Sequence, residues 1–177
     1  MNKTFRSDYY RMTGKEYKIG IKSMILMLFS HQIRYMYWWR KANLSKKLFY
    51  KLILWRYSRK YGLEIATNAE IGEGLYLGHP YNITVGGQVK IGKNVNLHKG
   101  CTIGRENRGK REGAPVIGDC VVVGINSTIV GNITIGDDVI IAPNSFVNFD
   151  VPTHSIVVCN SVHHKKNATD NYVNFRV

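Results

Sequence analysis

Long apolar runs are missing from this chain. The longest, Met24 to Phe29, falls far short of the roughly 20 residues that cross a bilayer. No apolar h-region followed by a small-residue cleavage site is recognisable either. Cysteine is scarce. Cys101, Cys120 and Cys159 are an odd number without metal-ligand spacing, which sets aside a disulfide framework and a zinc site and reads as reduced thiols in a cytoplasmic protein. Acidic residues are nearly absent from the first third. Residues 1–62 hold fifteen Lys/Arg against only Asp8 and Glu16, whereas residues 63–177 hold ten of each sign. The whole net charge of +13 therefore belongs to the N-terminal segment.

That segment, residues 1–62, also carries all three tryptophans, Trp38, Trp39 and Trp55, and few turn signals beyond Gly14 and Gly20. Ile21, Ile25, Leu28 and Phe29 recur at helical spacing, as do Leu48, Leu52 and Trp55. The pattern predicts two or three helices. A break falls near Ala42–Ser45, where Asn43 or Ser45 is positioned to cap the next helix, and Gly62 is placed to close the last one. Two readings suit a basic, aromatic helical segment: a cap packed on the rest of the protein, or a contact with an acidic lipid surface or anionic glycan. No nucleic-acid motif accompanies the charge, so nucleic acid is set aside as a partner.

Residues 63–177 are repetitive. Aliphatic side chains stand six apart at Ile65, Ile71 and Leu77, again at Val85, Ile91, Leu97 and Ile103, and again at Ile117, Val123, Ile129, Ile135, Ile141 and Val147. Glycine often follows. A six-residue period of this kind predicts a left-handed parallel β-helix, three hexapeptides to a triangular coil, with the aliphatic residue turned inward. Asn94, Asn126, Asn132 and Asn144 suit the tight corners. The register slips twice. Leu77 to Val85 is two residues too long, so His79-Pro80-Tyr81-Asn82 bulges; Ile103 to Ile117 is eight too long, so Arg105 to Pro115 forms an extruded, charged loop.

The stretch Leu77-Gly78-His79-Pro80-Tyr81-Asn82-Ile83-Thr84-Val85-Gly86-Gly87 resembles the catalytic-histidine loop of serine acetyltransferases and their hexapeptide-repeat relatives, with the same two-residue insertion, and the Arg105–Pro115 loop has that family's length. The resemblance covers roughly Leu63 to Lys165. It implies a homotrimer, acetyl-CoA bound in a groove between adjacent β-helices, and His79 as general base on an acceptor hydroxyl, chemistry for which a neutral imidazole is suited. A carboxylate orients the base in that family, and counting back fifteen residues from His79 lands on Glu64. His98 stands one coil from His79 and is placed to orient the acceptor or the thioester carbonyl. A backbone N–H near Gly104 or Arg105 is the expected oxyanion donor. The pantetheine is expected along Gly124, Ile125, Ala142 and Pro143, with Lys165 and Lys166 meeting the CoA phosphates. No metal is required. His31, His154, His163 and His164 carry no recognisable motif.

The chain departs from serine acetyltransferases at three places. Gly78 stands where they carry Asp before the catalytic His, Ala114 where they carry a His before the Pro that ends the long loop, and Cys159-Asn160-Ser161-Val162 replaces their Gly-x-Pro-Ala. The first two positions help hold the amino-acid acceptor in that family, so the pattern looks closer to capsule and exopolysaccharide O-acetyltransferases. The expectation is therefore acetyl transfer to a saccharide hydroxyl, with serine O-acetylation as the alternative and a non-catalytic β-helix scaffold as the alternative of another class.

Overall fold

A computed structural model of the protein describes residues 3–45 and 47–177. Four helices lead the described chain: α1 (Lys3–Thr13), α2 (Ile21–Phe29), α3 (His31–Ser45) and α4 (Leu48–Tyr61). Helix α4 ends at Gly62, whose left-handed backbone lets its N–H reach the Ser58 carbonyl, as the sequence predicts. The expected caps at the break before α4 do not form. Asn43 instead donates to the carbonyls of Thr67 (3.0 Å) and Ala69 (3.3 Å), and Ser45 bonds back to the Lys41 carbonyl at 2.9 Å. The residue before α4 is Lys47, with no side-chain cap.

From Glu64 the chain winds through five coils of a parallel β-solenoid. The first contains β1 (Glu64–Ile65), β2 (Glu70–Ile71) and β3 (Tyr76–Gly78); the second β4 (Thr84–Val85), β5 (Lys90–Ile91) and β6 (Asn96–His98). The third has β7 (Thr102–Gly104), β8 (Val116–Ile117) and β9 (Val122–Val123); the fourth β10 (Thr128–Val130), β11 (Thr134–Ile135) and β12 (Val139–Ile141). The fifth has β13 (Phe146–Val147) and β14 (Ser155–Val158), closed by β15 (Ser161–His164) in an antiparallel hairpin. Stacking gives three flat faces, β1-β4-β7-β10-β13, β2-β5-β8-β11 and β3-β6-β9-β12-β14. The six-spaced residues are in register from coil to coil: Ile65 pairs with Val85, and Leu77 with Leu97.

All the six-spaced aliphatics are buried except Ile71, which is half-buried in the first coil. Each contributes about 1.5–3 kcal/mol by leaving water. A second inward layer two residues earlier (Leu63, Leu75, Ile83, Val89, Val95, Val121) fills the prism beside them. Asn94, Asn126 and Asn144 take the left-handed backbone at corners, but Asn132 does not; Gly131 turns the chain there instead. Gly92 is required by close approach, since a Cβ there would lie 2.7 Å from the Gly118 carbonyl oxygen of the next coil. Both register slips appear where expected. The Arg105–Pro115 excursion is pinned at its neck by paired backbone bonds between Glu106 and Gly113.

The first coil has no coil beneath it, so one rim of backbone groups would be unpaired. The helices supply the partners. The Trp39 indole donates to the Ile65 carbonyl (3.0 Å), and Tyr35 accepts from the Ile65 N–H (3.1 Å). Arg40 donates to the carbonyls of Ile71 (2.7 Å) and Gly72 (2.6 Å). Asp8 accepts from the Leu75 N–H (2.9 Å) and Ser7 from the Gly74 N–H (3.1 Å). Tyr35, Met36, Trp39 and Ala42 join the interior of the solenoid as one core. Of the two readings of the N-terminal segment, the packed cap describes this inner side.

Candidate active site

His79 sits where the chain turns from β3 toward β4, exposed, with its backbone in the left-handed region at φ 50°. Sparsely used backbone of this kind persists only when neighbours hold it. Here the Lys99 N–H donates to the Gly78 carbonyl (3.0 Å), the Tyr81 N–H to the His79 carbonyl (2.7 Å), and the Gly100 N–H to the Tyr81 carbonyl (2.9 Å). Pro80 is buried beneath the turn. His31, which carries no motif in sequence, stacks on Tyr61 at 4.4 Å and meets Tyr81 at 5.1 Å. Its ring supports the bulge from the helical side.

His98 is the cross-strand partner of Gly78 and half-buried. Burial, and secondarily the charge of His79, holds its pKa below the usual imidazole value, so it is neutral near pH 7. A Cβ built on Gly78 would fall 2.4 Å from His98 Nδ1. The imidazole of His98 thus occupies the volume that a side chain at position 78 would need.

Along the outer surface of the β6-β9-β12-β14 face runs a groove of about 530 Å³. His98 stands at one end, and Gly124, Ile125, Ala142, Pro143 and Lys165 line it together. These are five of the residues assigned to cofactor in sequence. Its floor was missed: Val122, Ile140 and Ile156 form an outward apolar ladder in strand register. The signal was present, because each precedes an inward aliphatic at a position where an exposed face is ordinarily polar. The outer wall was missed too. It is the C-terminal tail, through Asn167, Ala168, Asn171 and Tyr172. Asp138 clasps that tail, accepting from the N–H groups of Ala168 (3.0 Å) and Thr169 (2.8 Å) and from His154 Nδ1 (2.7 Å); these bonds outweigh burial and draw its pKa down to about 2.

Other sequence assignments are not brought together within the chain. Glu64 is exposed, and its carboxylate accepts from the Ser58 hydroxyl at 2.7 Å; it makes no hydrogen bond to His79 among the described residues. The reason is topological: Glu64 lies on the β1-β4 face, with the end of α4 above it. Gly104 and Arg105 lie on that same face, across a corner from the groove, and Arg105 pairs with Gln88 (2.7 Å) and Glu112 (3.3 Å). Lys166 is exposed and does not line the groove. Cys101 is sealed in the core, where burial pushes its thiol up to about 12; Cys120 and Cys159 occupy left-handed corner positions.

Residues 114–148 match the family profile "Bacterial transferase hexapeptide (six repeats)". The fold is that of the hexapeptide-repeat β-helix acyltransferases. Serine acetyltransferase of Helicobacter pylori is 38% identical over 97 residues, 55% of this chain and 57% of that protein. The Staphylococcus xylosus serine acetyltransferase is 40% identical over 99 residues, 55% of this chain and 45% of that one. This hexapeptide-repeat chain spans about half the length of the curated relatives it matches. Among solved structures, Neisseria gonorrhoeae serine acetyltransferase in complex with serine superposes with a TM-score of 0.74 at 27% identity, over 91% of this chain and 67% of that one. The resemblance to capsule and exopolysaccharide enzymes finds no support among these relatives.

The Gly78–His98 contact predicts a test. Gly78→Ala is expected to lower kcat/KM by at least about tenfold, because the new Cβ displaces the His98 ring. The Gly78→Ala/His98→Ala double variant is expected to be no worse than His98→Ala alone, the signature of two residues sharing one space. Strict additivity in that double-mutant cycle would show that the crowding has no catalytic consequence.

Proposed function

We propose that the protein is an acetyl-CoA-dependent O-acetyltransferase. The observation that carries the reading is the single groove in which His98 meets Gly124, Ile125, Ala142, Pro143 and Lys165, beside the bulge that presents His79. In this reading pantetheine lies on the apolar ladder between corner and tail, and Lys165 meets a CoA phosphate. His79 takes the proton of the acceptor hydroxyl as the oxygen attacks the thioester carbonyl. The tetrahedral intermediate expels the CoA thiolate, which receives that proton from the imidazolium. Neutral His98 is suited to hydrogen-bond the acceptor or the carbonyl. Glu64 as orienter of His79 would require its carboxylate to leave Ser58, and an oxyanion donor at Gly104 or Arg105 would have to come from a neighbouring subunit's face. A groove open on one side leaves room for a neighbouring copy to complete it, and a homotrimer is the assembly we propose. Sedimentation equilibrium tests it; a fully active monomer at micromolar concentration would contradict it. The availability of acetyl-CoA supports a cytoplasmic site of action.

The relatives favour L-serine as acceptor, being serine acetyltransferases. One observation favours a saccharide hydroxyl instead: Gly78 and Ala114 remove the acceptor-site Asp and His of that family, and the His98 ring fills the space at position 78. A charged amino acid needs a paired site. Release of free CoA with L-serine and with a panel of sugars separates the two. A kcat/KM for L-serine on the order of 10⁴ M⁻¹s⁻¹ or more with no response to sugars is the expected result for the serine enzyme. Stimulation by sugars alone reverses the assignment, and failure to bind acetyl-CoA at all would leave a β-helix scaffold.

A further inference from the structure

Helix α2 is apolar on both sides: Leu26 and Met27 pack inward against Phe5, Tyr9 and Ile33, and the rest of its apolar residues face out. Ile21, Leu28 and Phe29 are 77%, 66% and 85% exposed, and Met24 and Ile25 stand beside them, while the only buried residue of the helix is Ser23. A surface helix ordinarily turns its apolar stripe to the core. The arrangement is held in place: the Ser23 hydroxyl donates to the Lys18 carbonyl at 2.6 Å, and the Arg34 guanidinium takes the free carbonyls of Met27 and Leu28 at the helix end. Helix α4 adds Leu48, Phe49, Leu52 and Trp55, all exposed, with Arg59 lying 5.0 Å over the Trp55 ring. Arg34 also donates to the Tyr57 hydroxyl of α4 (2.6 Å), which makes the end of α2 a neighbour of α4, and exposed apolar surface of this extent marks a contact site.

The charge on the same segment says what covers it. Asp8 is sealed inside against Arg40, so Glu16 is the only acid that residues 3–62 present to solvent. Exposed Lys15 and Lys18 precede α2 and exposed Lys22 lies in its first turn, and Lys51, Arg56 and Lys60 flank the apolar face of α4. A second copy brought face to face would set one strongly basic surface against another. An anionic bilayer complements both features, taking the apolar side chains at the headgroup–acyl boundary and the bases at its phosphates. No helix among the described residues is long and apolar enough to cross a membrane, so the contact is with its surface.

We infer that α2 and the exposed face of α4 form a docking surface for an anionic lipid bilayer. The reading is independent of the acetyltransferase proposal, because its test reads binding alone. The full chain is floated with phosphatidylcholine vesicles with and without phosphatidylglycerol. Binding at least on the order of tenfold tighter to the anionic vesicles, weakening as salt rises, is expected. Leu28→Asp/Phe29→Asp is expected to abolish it; both positions are exposed, so the fold should be kept, checked by circular dichroism. Equal partition with and without phosphatidylglycerol overturns the inference. So does a Leu28→Asp/Phe29→Asp variant that still floats, or one whose assembly falls apart in sedimentation velocity, the last showing that a second copy covers this face.

Discussion

His79→Ala is expected to lower kcat by at least about a hundredfold, the scale of losing a general base, with acetyl-CoA affinity nearly kept. The separation follows from geometry: the groove is built from β9, β12, β14 and the C-terminal tail, none of which uses His79. Alanine is strained in the left-handed backbone that position requires, so His79→Asn, which tolerates that backbone and supplies no base, is expected to lose as much. A second readout follows from the neighbouring ring. The charge of His79 contributes to holding the His98 pKa down, so removing it lets the His98 titration move up toward the ordinary value in an NMR titration. Near-parental turnover in both variants would take the base assignment away from His79.

Asp8→Ala is expected to cost about 3–5 kcal/mol of folding stability, the usual consequence of leaving a buried guanidinium without its counter-charge. The Asp8 carboxylate is fully buried and accepts from Arg40 Nε (2.8 Å) and Nη2 (3.0 Å) as well as from the Leu75 N–H. Arg40 in turn is committed to the Ile71 and Gly72 carbonyls and cannot turn to water. The melting midpoint should fall on the order of 10 °C for a chain of this size. Glu70→Ala is the control: its ion pair with Lys90 is exposed on both sides, and its loss should change stability by no more than about 0.5 kcal/mol. An Asp8→Ala midpoint within about 2 °C of the parent would show that the helices are not tied to the first coil through this pair.

The solenoid was legible because its signal is repeated. Each six-spaced aliphatic meets the same environment on the next coil, so Leu77 and Leu97, or Ile103 and Ile129, say the same thing. The two excess lengths located the His79 bulge and the Arg105–Pro115 loop for the same reason. The groove residues that share a corner, Gly124, Ile125, Ala142 and Pro143, followed from that register. What depends on one rotamer or one long-range contact did not. Glu64 has the right distance in sequence, yet Ser58 takes its carboxylate. The tail wall rests on Asp138 reaching Thr169, a contact between residues 31 apart with no periodic trace. In the helical segment, Ile21, Ile25, Leu28 and Phe29 have the spacing of a buried stripe but face outward, because spacing fixes which residues share a side and not what that side meets.

The side chains that cover the rim of the first coil have a consequence for how the molecule behaves when they are missing. A parallel solenoid is a quasi-one-dimensional stack, in which each layer templates the next. An uncovered end is a ready edge for another chain, and head-to-tail addition through such an edge does not close on itself. Trp39, Tyr35, Arg40, Asn43, Asp8 and Ser7 are therefore a terminator of growth as well as a source of stability. A chain shortened to start at Leu63 would be expected to polymerise along the coil axis rather than simply unfold. At the opposite end the antiparallel β14–β15 hairpin covers the edge of only one face, while β13 and β11 end the other two.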